Sequence, residues 1–331
     1  MQGNNIILVT VIIPCYNCEK LVGRAIRSVL EQTHPNIELL LIDNNSTDNT
    51  INVLRQYERE HPETIAVFSE KKKGACAARN NGLKRAQGQW IQFLDADDEL
   101  LPQKIEKQLE IVMSLNPDVV IDDYRKVKDL NGRIITQNMV AEDDPWTGLI
   151  NSRLGITSSN LWKKELLLKH EGWDEELTSS QEYNLLFKLL KFKAKVIITH
   201  QIQTIVYTQP DSVSRTTNNT KALELIMNRY NLRSRIYNFL FENKLLQPNY
   251  KRDISLYLYY HLLLISEFNM PYFKEQIRNN DFEEVSLLDK MRLFTDFLKN
   301  SSKRKFGRSN LIVKSIEFQF FFFKNISLLI N

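Results

Sequence analysis

The chain has 331 residues, more than a single core usually spans, so one domain of about 200 residues with a smaller partner is expected. A content of 43% hydrophobic and 25% charged residues is that of an ordinary globular protein and excludes fibrous and low-complexity classes. The net charge of +4 hides an asymmetry: residues 221–331 hold 18 Lys/Arg against 11 Asp/Glu, a net of +7, which leaves −3 on the rest. A basic tail on a slightly acidic body calls for an anionic neighbour, and a membrane surface rather than nucleic acid is the one expected. The apolar run from Ile6 to Ile13 is short and has no basic residue before it, so no secretory signal is read. No stretch reaches the roughly eighteen uninterrupted apolar residues of a membrane span, and the cytoplasm is the expected compartment. Three cysteines fit it; Cys15 and Cys18 form a CxxC without the second pair or the His that zinc needs, and read as incidental thiols.

Short β-rich runs alternate with helical patterns from the start. Ile6 to Ile13 is fit for a buried strand, and Leu21, Val22, Ala25, Ile26, Val29 and Leu30 recur at helical spacing. Strands follow at Ile37 to Ile42, Thr64 to Phe68 and Trp90 to Leu94, with helices at Asp48 to Tyr57 and Ala75 to Ala86 between them. Pro102 starts a helix with Ile105, Leu109 and Val112 on its apolar face. Such an order requires right-handed crossovers and a mainly parallel sheet covered on both faces. Between 116 and 220 the pattern is mixed, with strands at Val119 to Ile121, Val196 to Thr199 and Thr204 to Tyr207 around a helix at Glu182 to Lys191. Beyond 220 only helices are predicted. The expected domains are therefore 1–220, split into halves at 115, and a helical 221–331.

Ligands of such sheets bind beyond the carboxyl ends of the strands. Three loops are thereby singled out: Pro14-Cys-Tyr-Asn-Cys-Glu19, Asp43-Asn-Asn-Ser-Thr-Asp48 and Asp95-Ala-Asp-Asp98. In an extended segment Asp95 and Asp97 point to the same side, and two carboxylates so placed call for a cation. Mg²⁺ or Mn²⁺, which take oxygen ligands from carboxylate and phosphate, remove the repulsion. Asp98 is open between the shell of that metal and the N-terminus of the following helix, where Glu99 is also assigned. Asp43 stands where a carboxylate accepts the N–H of a pyrimidine ring. In Gly74-Ala-Cys-Ala-Ala-Arg-Asn-Asn-Gly82 small residues permit close backbone approach, and Arg79 is placed to neutralise a phosphate or brace a carboxylate.

The string VIIPCYNCEKLVGRAIRSVLEQTHPNIELLLIDNNSTDNT, followed by GACAARNNGLKRAQGQWIQFLDADDELLP, resembles the nucleotide-sugar half of the family 2 inverting glycosyltransferases, which have the GT-A fold. The likeness is close over roughly the first 115 residues and joins several ordered motifs, which makes it far more specific than a lone DxD. It implies an α/β, Rossmann-like fold: a mainly parallel central sheet flanked by helices, with an all-α C-terminal region. It implies that Pro14, Tyr16 and Asn17 border the nucleotide, that Asp43 contacts its base, that Arg79 sits beside the diphosphate, that Asp95 contacts the ribose and that Asp97 holds the metal. Family members often carry an acidic residue at Asn44 and a glycine at Asn45. A weaker match at Thr157-Ser-Ser-Asn160, Gly172-Trp-Asp-Glu-Glu-Leu177 and Gln181-Glu182 makes Glu182 the general base, in a pair that is usually Glu-Asp. Trp173 is a core residue or a platform for an acceptor sugar. A further metal ligand of the family falls near Gln209, and the QxxRW of processive synthases is absent, so one sugar per encounter is expected.

The resemblance thus implies a metal-dependent, inverting transfer of one sugar from a nucleoside diphosphate sugar, a UDP-sugar first, to a hydroxyl of a glycan or lipid-linked glycan, in cell-surface polysaccharide synthesis. The alternative is a scaffold of the same fold that keeps the nucleotide pocket without catalysis. The basic and phenylalanine-rich segment 301–324 fits an anionic membrane surface, a buried helix or a homodimer seam.

Overall fold

A computed structural model describes residues 6–130, 132–208, 218–280 and 282–303. The chain divides into two compact units, Met1–Asp253 and Ile254–Asn331.

The first unit alternates strands and helices in the order read from the sequence: β1 (Val9–Cys15), α1 (Val22–Leu30), β2 (Ile37–Asp43), α2 (Thr50–Glu60), β3 (Ile65–Ser69), α3 (Ala75–Arg85) and β4 (Trp90–Phe93). The apolar runs form strands because both faces of the sheet are covered, and Val9, Val11, Ile12 and Ile13 have no exposed surface. These four strands are parallel, in the order β3-β2-β1-β4. Helix α3 lies close on the sheet because its residues are small; a Cβ at Gly82 would run into Ile12. The chain leaves β1 in one direction toward β2 and β3 and in the other toward β4, so the turns after β1 and β4 face each other at a switch point.

The remaining strands make the sheet mixed. A two-residue β5 (Glu99–Leu100) precedes α4 (Lys104–Leu115), then β6 (Val119–Leu130) and β7 (Arg133–Met139) form a hairpin. After α5 (Pro145–Asn151) a single 3-10 turn at Thr157–Ser159 leads into β8 (Asn160–Lys163), α6 (Lys164–Lys169), α7 (Gln181–Lys191) and β9 (Val196–Tyr207). Strand β8 joins the halves, antiparallel to both β4 and β6. Strand β9 runs parallel to β6 and antiparallel to β5. The two runs expected near 196 and 207 are one strand, interrupted by a bulge at His200, whose φ of 55° lets the ladder resume. Strand β7 escaped the pattern because nearly all of it is exposed, so no alternation marks it.

Helix α8 (Asn219–Glu242) belongs to this unit, anchored by Arg233, which is 1% exposed. Its guanidinium donates to the carbonyls of Ile150 (3.0 Å) and Leu149 (3.1 Å) and to Ser152. Helix α9 (Pro248–Ser266) spans the division. The second unit continues with α10 (Met270–Asn279) and α11 (Leu287–Lys303), where Leu262, Leu263, Ile265, Phe273 and Val285 are buried. No described helix is long and apolar enough to cross a membrane. Gln209 and residues 304–324 lie outside the described residues.

Candidate active site

The turn after β1 is fixed by the turn after β2. Asn17, at φ 46°, accepts the Thr47 amide (2.8 Å) and gives its own amide to Ser46 Oγ (3.1 Å). Pro14 is partly buried, while Tyr16 is 61% exposed. Cys15 and Cys18 are free, buried thiols, and the Cys18 amide donates to Thr50 Oγ1 (2.8 Å).

Asp43 ends β2 and is 8% exposed, and its Oδ1 is buried without a hydrogen-bond partner. Beside it Asn44 and Asn45 clasp the 70–74 loop. Asn44 Nδ2 donates to the carbonyls of Glu70 (3.0 Å) and Lys72 (2.7 Å), and its Oδ1 accepts the Gly74 amide (2.7 Å). Asn45 stands at φ 64°, the left-handed region that asparagine tolerates best after glycine. The departure at Asn45 thus keeps the backbone shape that a glycine would allow.

Arg79 is buried on α3 and donates to Asp95 Oδ1 (2.6 Å) and Gln181 Oε1 (3.0 Å), with its guanidinium 4.7 Å from the centre of the Trp173 ring. It braces a carboxylate, one of the two roles open to it. Asn80, next along the helix, donates to the Trp173 carbonyl and to Glu175 (each 2.8 Å) and accepts the Trp173 amide (2.9 Å). Trp173 is 2% exposed, edge-on to Phe93 and Trp162 at 5.1 and 6.3 Å. Of its two readings the core one describes it: no ring face is left for a sugar, and the correction follows from its burial against Arg79 and two aromatic rings.

The acidic turn after β4 is held by several partners. Asp95 takes Arg79, and the Asp98 amide closes the turn on the Asp95 carbonyl (3.0 Å). Asp98 is 3% exposed and accepts the Ser158 hydroxyl (2.6 Å). Helix α4 begins only at Lys104, so neither Asp98 nor Glu99 faces its start. Glu99 lies in β5 and accepts the Tyr207 hydroxyl (2.8 Å), which corrects its assignment to the helix. Arg24, from α1, donates to the Asp97 carbonyl and lies 3.6 Å over the Tyr207 ring. The sequence reading passed over Arg24, although a cation next to the buried Val22, Ala25 and Ile26 of an amphipathic helix was a signal.

Among the described residues no side chain donates to the Asp97 carboxylate. Burial, with Asp95 adding to it, raises its pKa above the usual carboxylate range, against its own amide and Arg24. No group of three His, Cys, Asp or Glu among the described residues could by itself hold a metal. A divalent cation fits Asp97 as a single protein ligand that shares the ion with a polyanionic substrate: among the described residues the carboxylate accepts from no side chain, and it has an acidic neighbour.

Glu182 opens α7, behind Ser180 at φ 55°, and is partly exposed. Burial raises its carboxyl above the ordinary range; its own amide, Arg79 and Arg233 pull against this, while Asp95 adds to it. Gln181 accepts from Arg79, so the two residues of this pair divide between bracing the guanidinium and leaving a carboxylate free. A raised carboxylate without a side-chain partner is a group able to accept a proton.

A model of glycosyl transferase family 2 matches residues 10–171. An uncharacterized glycosyltransferase of Haemophilus influenzae is 30% identical over 234 residues, which cover 67% of this chain and 77% of the relative. The chain belongs to glycosyl transferase family 2. The putative teichuronic acid biosynthesis glycosyltransferase TuaG of Bacillus subtilis is 44% identical over 106 residues, 32% of this chain and 42% of that protein, so the match spans less than half of that relative. Among solved structures, TarS of S. aureus in complex with UDP-GlcNAc superposes with a TM-score of 0.58 at 20% identity, covering 88% of this chain and 81% of that one. The mannosyltransferase PcManGT of Pyrobaculum calidifontis, in complex with GDP-Man and Mn²⁺, gives 0.55 at 14% identity over 92% and 89%. These likenesses show the GT-A fold.

Proposed function

We propose that this glycosyltransferase moves one sugar from a nucleoside diphosphate sugar, a UDP-sugar first, to a hydroxyl of a glycan or lipid-linked glycan, with inversion at the anomeric carbon. One observation carries the reading. Of the acidic side chains around the crevice, Asp43, Asp97 and Glu182 take no hydrogen bond from another described residue, whereas Asp95, Asp98 and Glu99 are each held by one. For Asp43, whose unmet oxygen is buried, this costs roughly 1–3 kcal/mol, while Asp97 and Glu182 are partly exposed carboxylates that a ligand can reach.

Each fits one part of the donor or acceptor. Asp43 Oδ1 accepts the ring N–H of the base, with Pro14, Tyr16 and Asn17 along the nucleotide. Asp95, braced by Arg79, presents its other oxygen to the ribose, and Arg79 adds positive charge next to the diphosphate. Asp97 would hold Mn²⁺ or Mg²⁺ beside the diphosphate, and the ion would supply neutralisation of the departing negative charge. Glu182 accepts the proton of the acceptor hydroxyl as its oxygen attacks the sugar C1 from the side opposite the diphosphate. The raised pKa of Glu182 makes it a stronger base than a solvated carboxylate.

Support for polysaccharide synthesis comes from relatives named for teichuronic acid biosynthesis and for poly(ribitol-phosphate) glycosylation, and for UDP and a divalent ion from the UDP-GlcNAc and Mn²⁺ in neighbouring structures. The +7 charge of residues 221–331 supports work at the inner face of a membrane, where lipid-linked acceptors lie. A thermal-shift panel of UDP, dTDP and GDP sugars with and without Mn²⁺ tests the donor. One donor should raise the melting temperature only with Mn²⁺, by the equivalent of about 2.7 kcal/mol at a hundred times its Kd, and Asp97→Ala should abolish the rise. A protein that no nucleotide sugar stabilises, or an undiminished rise in Asp97→Ala, contradicts the reading.

A further inference from the structure

The acidic turn is fixed from a place far away in the chain. Ser158 has no exposed surface and lies in the 3-10 turn before β8. Its hydroxyl donates to Asp98 Oδ2 (2.6 Å) and accepts the Asp95 amide (3.1 Å), so one oxygen holds both ends of the Asp95–Asp98 turn. Its carbonyl is held in turn by Gln92 Nε2 (3.0 Å) and Thr204 Oγ1 (3.2 Å). Gln92 accepts from the buried Lys104, which also donates to Gln108, and Gln108 Nε2 reaches the Ser159 carbonyl (3.1 Å). Polar groups from β4, α4 and β9 thus converge on a buried three-residue turn.

The same segment reaches the other side of the site. The Tyr183 hydroxyl donates to the Gly155 carbonyl (3.2 Å), and Tyr183 follows Glu182 on α7. Residues 155–158 therefore hold the acidic turn at one end and the neighbour of the base at the other. A buried network whose bonds are all made is rigid, and donor and base must be held to within a fraction of an ångström for a displacement to proceed.

We propose that Ser158 is a positioning residue: its hydroxyl sets the geometry of the Asp95–Asp98 turn on which the nucleoside diphosphate and its divalent ion are bound. The inference rests on the donor site described above. Its consequence is that Ser158, which contacts no substrate, controls donor affinity and turnover.

Isothermal titration of UDP in the presence of Mn²⁺ tests this, with donor KM and kcat measured on the same preparations. Ser158→Ala should weaken UDP binding about tenfold, which corresponds to about 1.4 kcal/mol, raise the donor KM in parallel and lower kcat. Thr204→Val releases only the carbonyl of Ser158 and should give a smaller shift in the same quantities. Ser158→Thr, which keeps the hydroxyl, should recover most of the affinity. Melting temperatures on each variant separate a loss of fold from a loss of position. UDP affinity unchanged in a folded Ser158→Ala, or an equal loss in Ser158→Thr at an unchanged melting temperature, overturns the proposal. Should Ser158→Ala fail to fold, a Thr204→Val with wild-type affinity overturns it. A wild-type protein that binds neither UDP nor GDP nor dTDP instead defeats the donor-site reading itself.

Discussion

Arg79 shows how one side chain ties the donor side of the crevice to the base side. Its guanidinium meets Asp95, Gln181 and the face of Trp173 together, an arrangement open to a planar fork and closed to an ammonium. Arg79→Lys should keep the charge, lose one of the two directed bonds and weaken nucleotide binding by about 10–100-fold, read by titration calorimetry, since a charge-assisted bond is worth roughly 1.5–3 kcal/mol. Wild-type affinity in Arg79→Lys would show that charge alone suffices. Asp43, Asp95, Asp97 and Glu182 were legible in the sequence because each ends or follows a strand or opens a helix and is charged where charge is costly, and Arg79 because it is a cation among the small residues of Gly74–Gly82. Gln92 and Thr204 were not, and Ser158 stood only inside the weak Thr157–Asn160 match with no role attached, because neutral polar residues in a strand or turn carry no sign of whether solvent or protein meets them.

At the scale of elements, the first seven were legible because each carries its own hydrophobic period and is bounded by a loop. The short antiparallel strands were not: β5 and β8 are two and four residues long, and β8 follows a turn of Gly, Thr and Ser that reads as loop, then runs straight into α6. The turn before β8 depends on Gly155, at φ 64°, where a Cβ would run into Asn160, Ile121 and Ser159. Gly155→Ala should cost about 2–4 kcal/mol, the sum of a left-handed alanine and an overpacked core, read from the urea midpoint. A change below 0.5 kcal/mol would mean that the turn is free to move and cannot position the acidic residues.

For the molecule as a whole, the buried polar layer between sheet and α4 links stability to pH. Burial lowers the Lys104 ammonium to about 7, with Asp122 opposing the shift. Its folded pKa is below the unfolded one near 10.4, so between about pH 7 and 10 the unfolded chain binds more protons and this group's contribution to stability rises with pH. Asp122, raised by burial and held down by Lys104, adds the same sign to the comparison when the lysine is removed. The melting temperature of wild type relative to Lys104→Met should therefore climb across that window; a pH-independent difference would place Lys104 in contact with solvent. Nothing in the sequence marked this lysine as buried, since its helix carries Lys104, Lys107 and three other charged or amide side chains, Glu106, Gln108 and Glu110, among the apolar ones.

The central claim is that Glu182 does chemistry while the donor is bound elsewhere, and it is tested most directly by the turnover of Glu182→Gln on the donor that stabilises the wild type. The account predicts a kcat lower by about 10²–10⁴-fold, the usual contribution of a general base, with the UDP affinity of the same preparation within about threefold of wild type. Undiminished kcat in Glu182→Gln would contradict it.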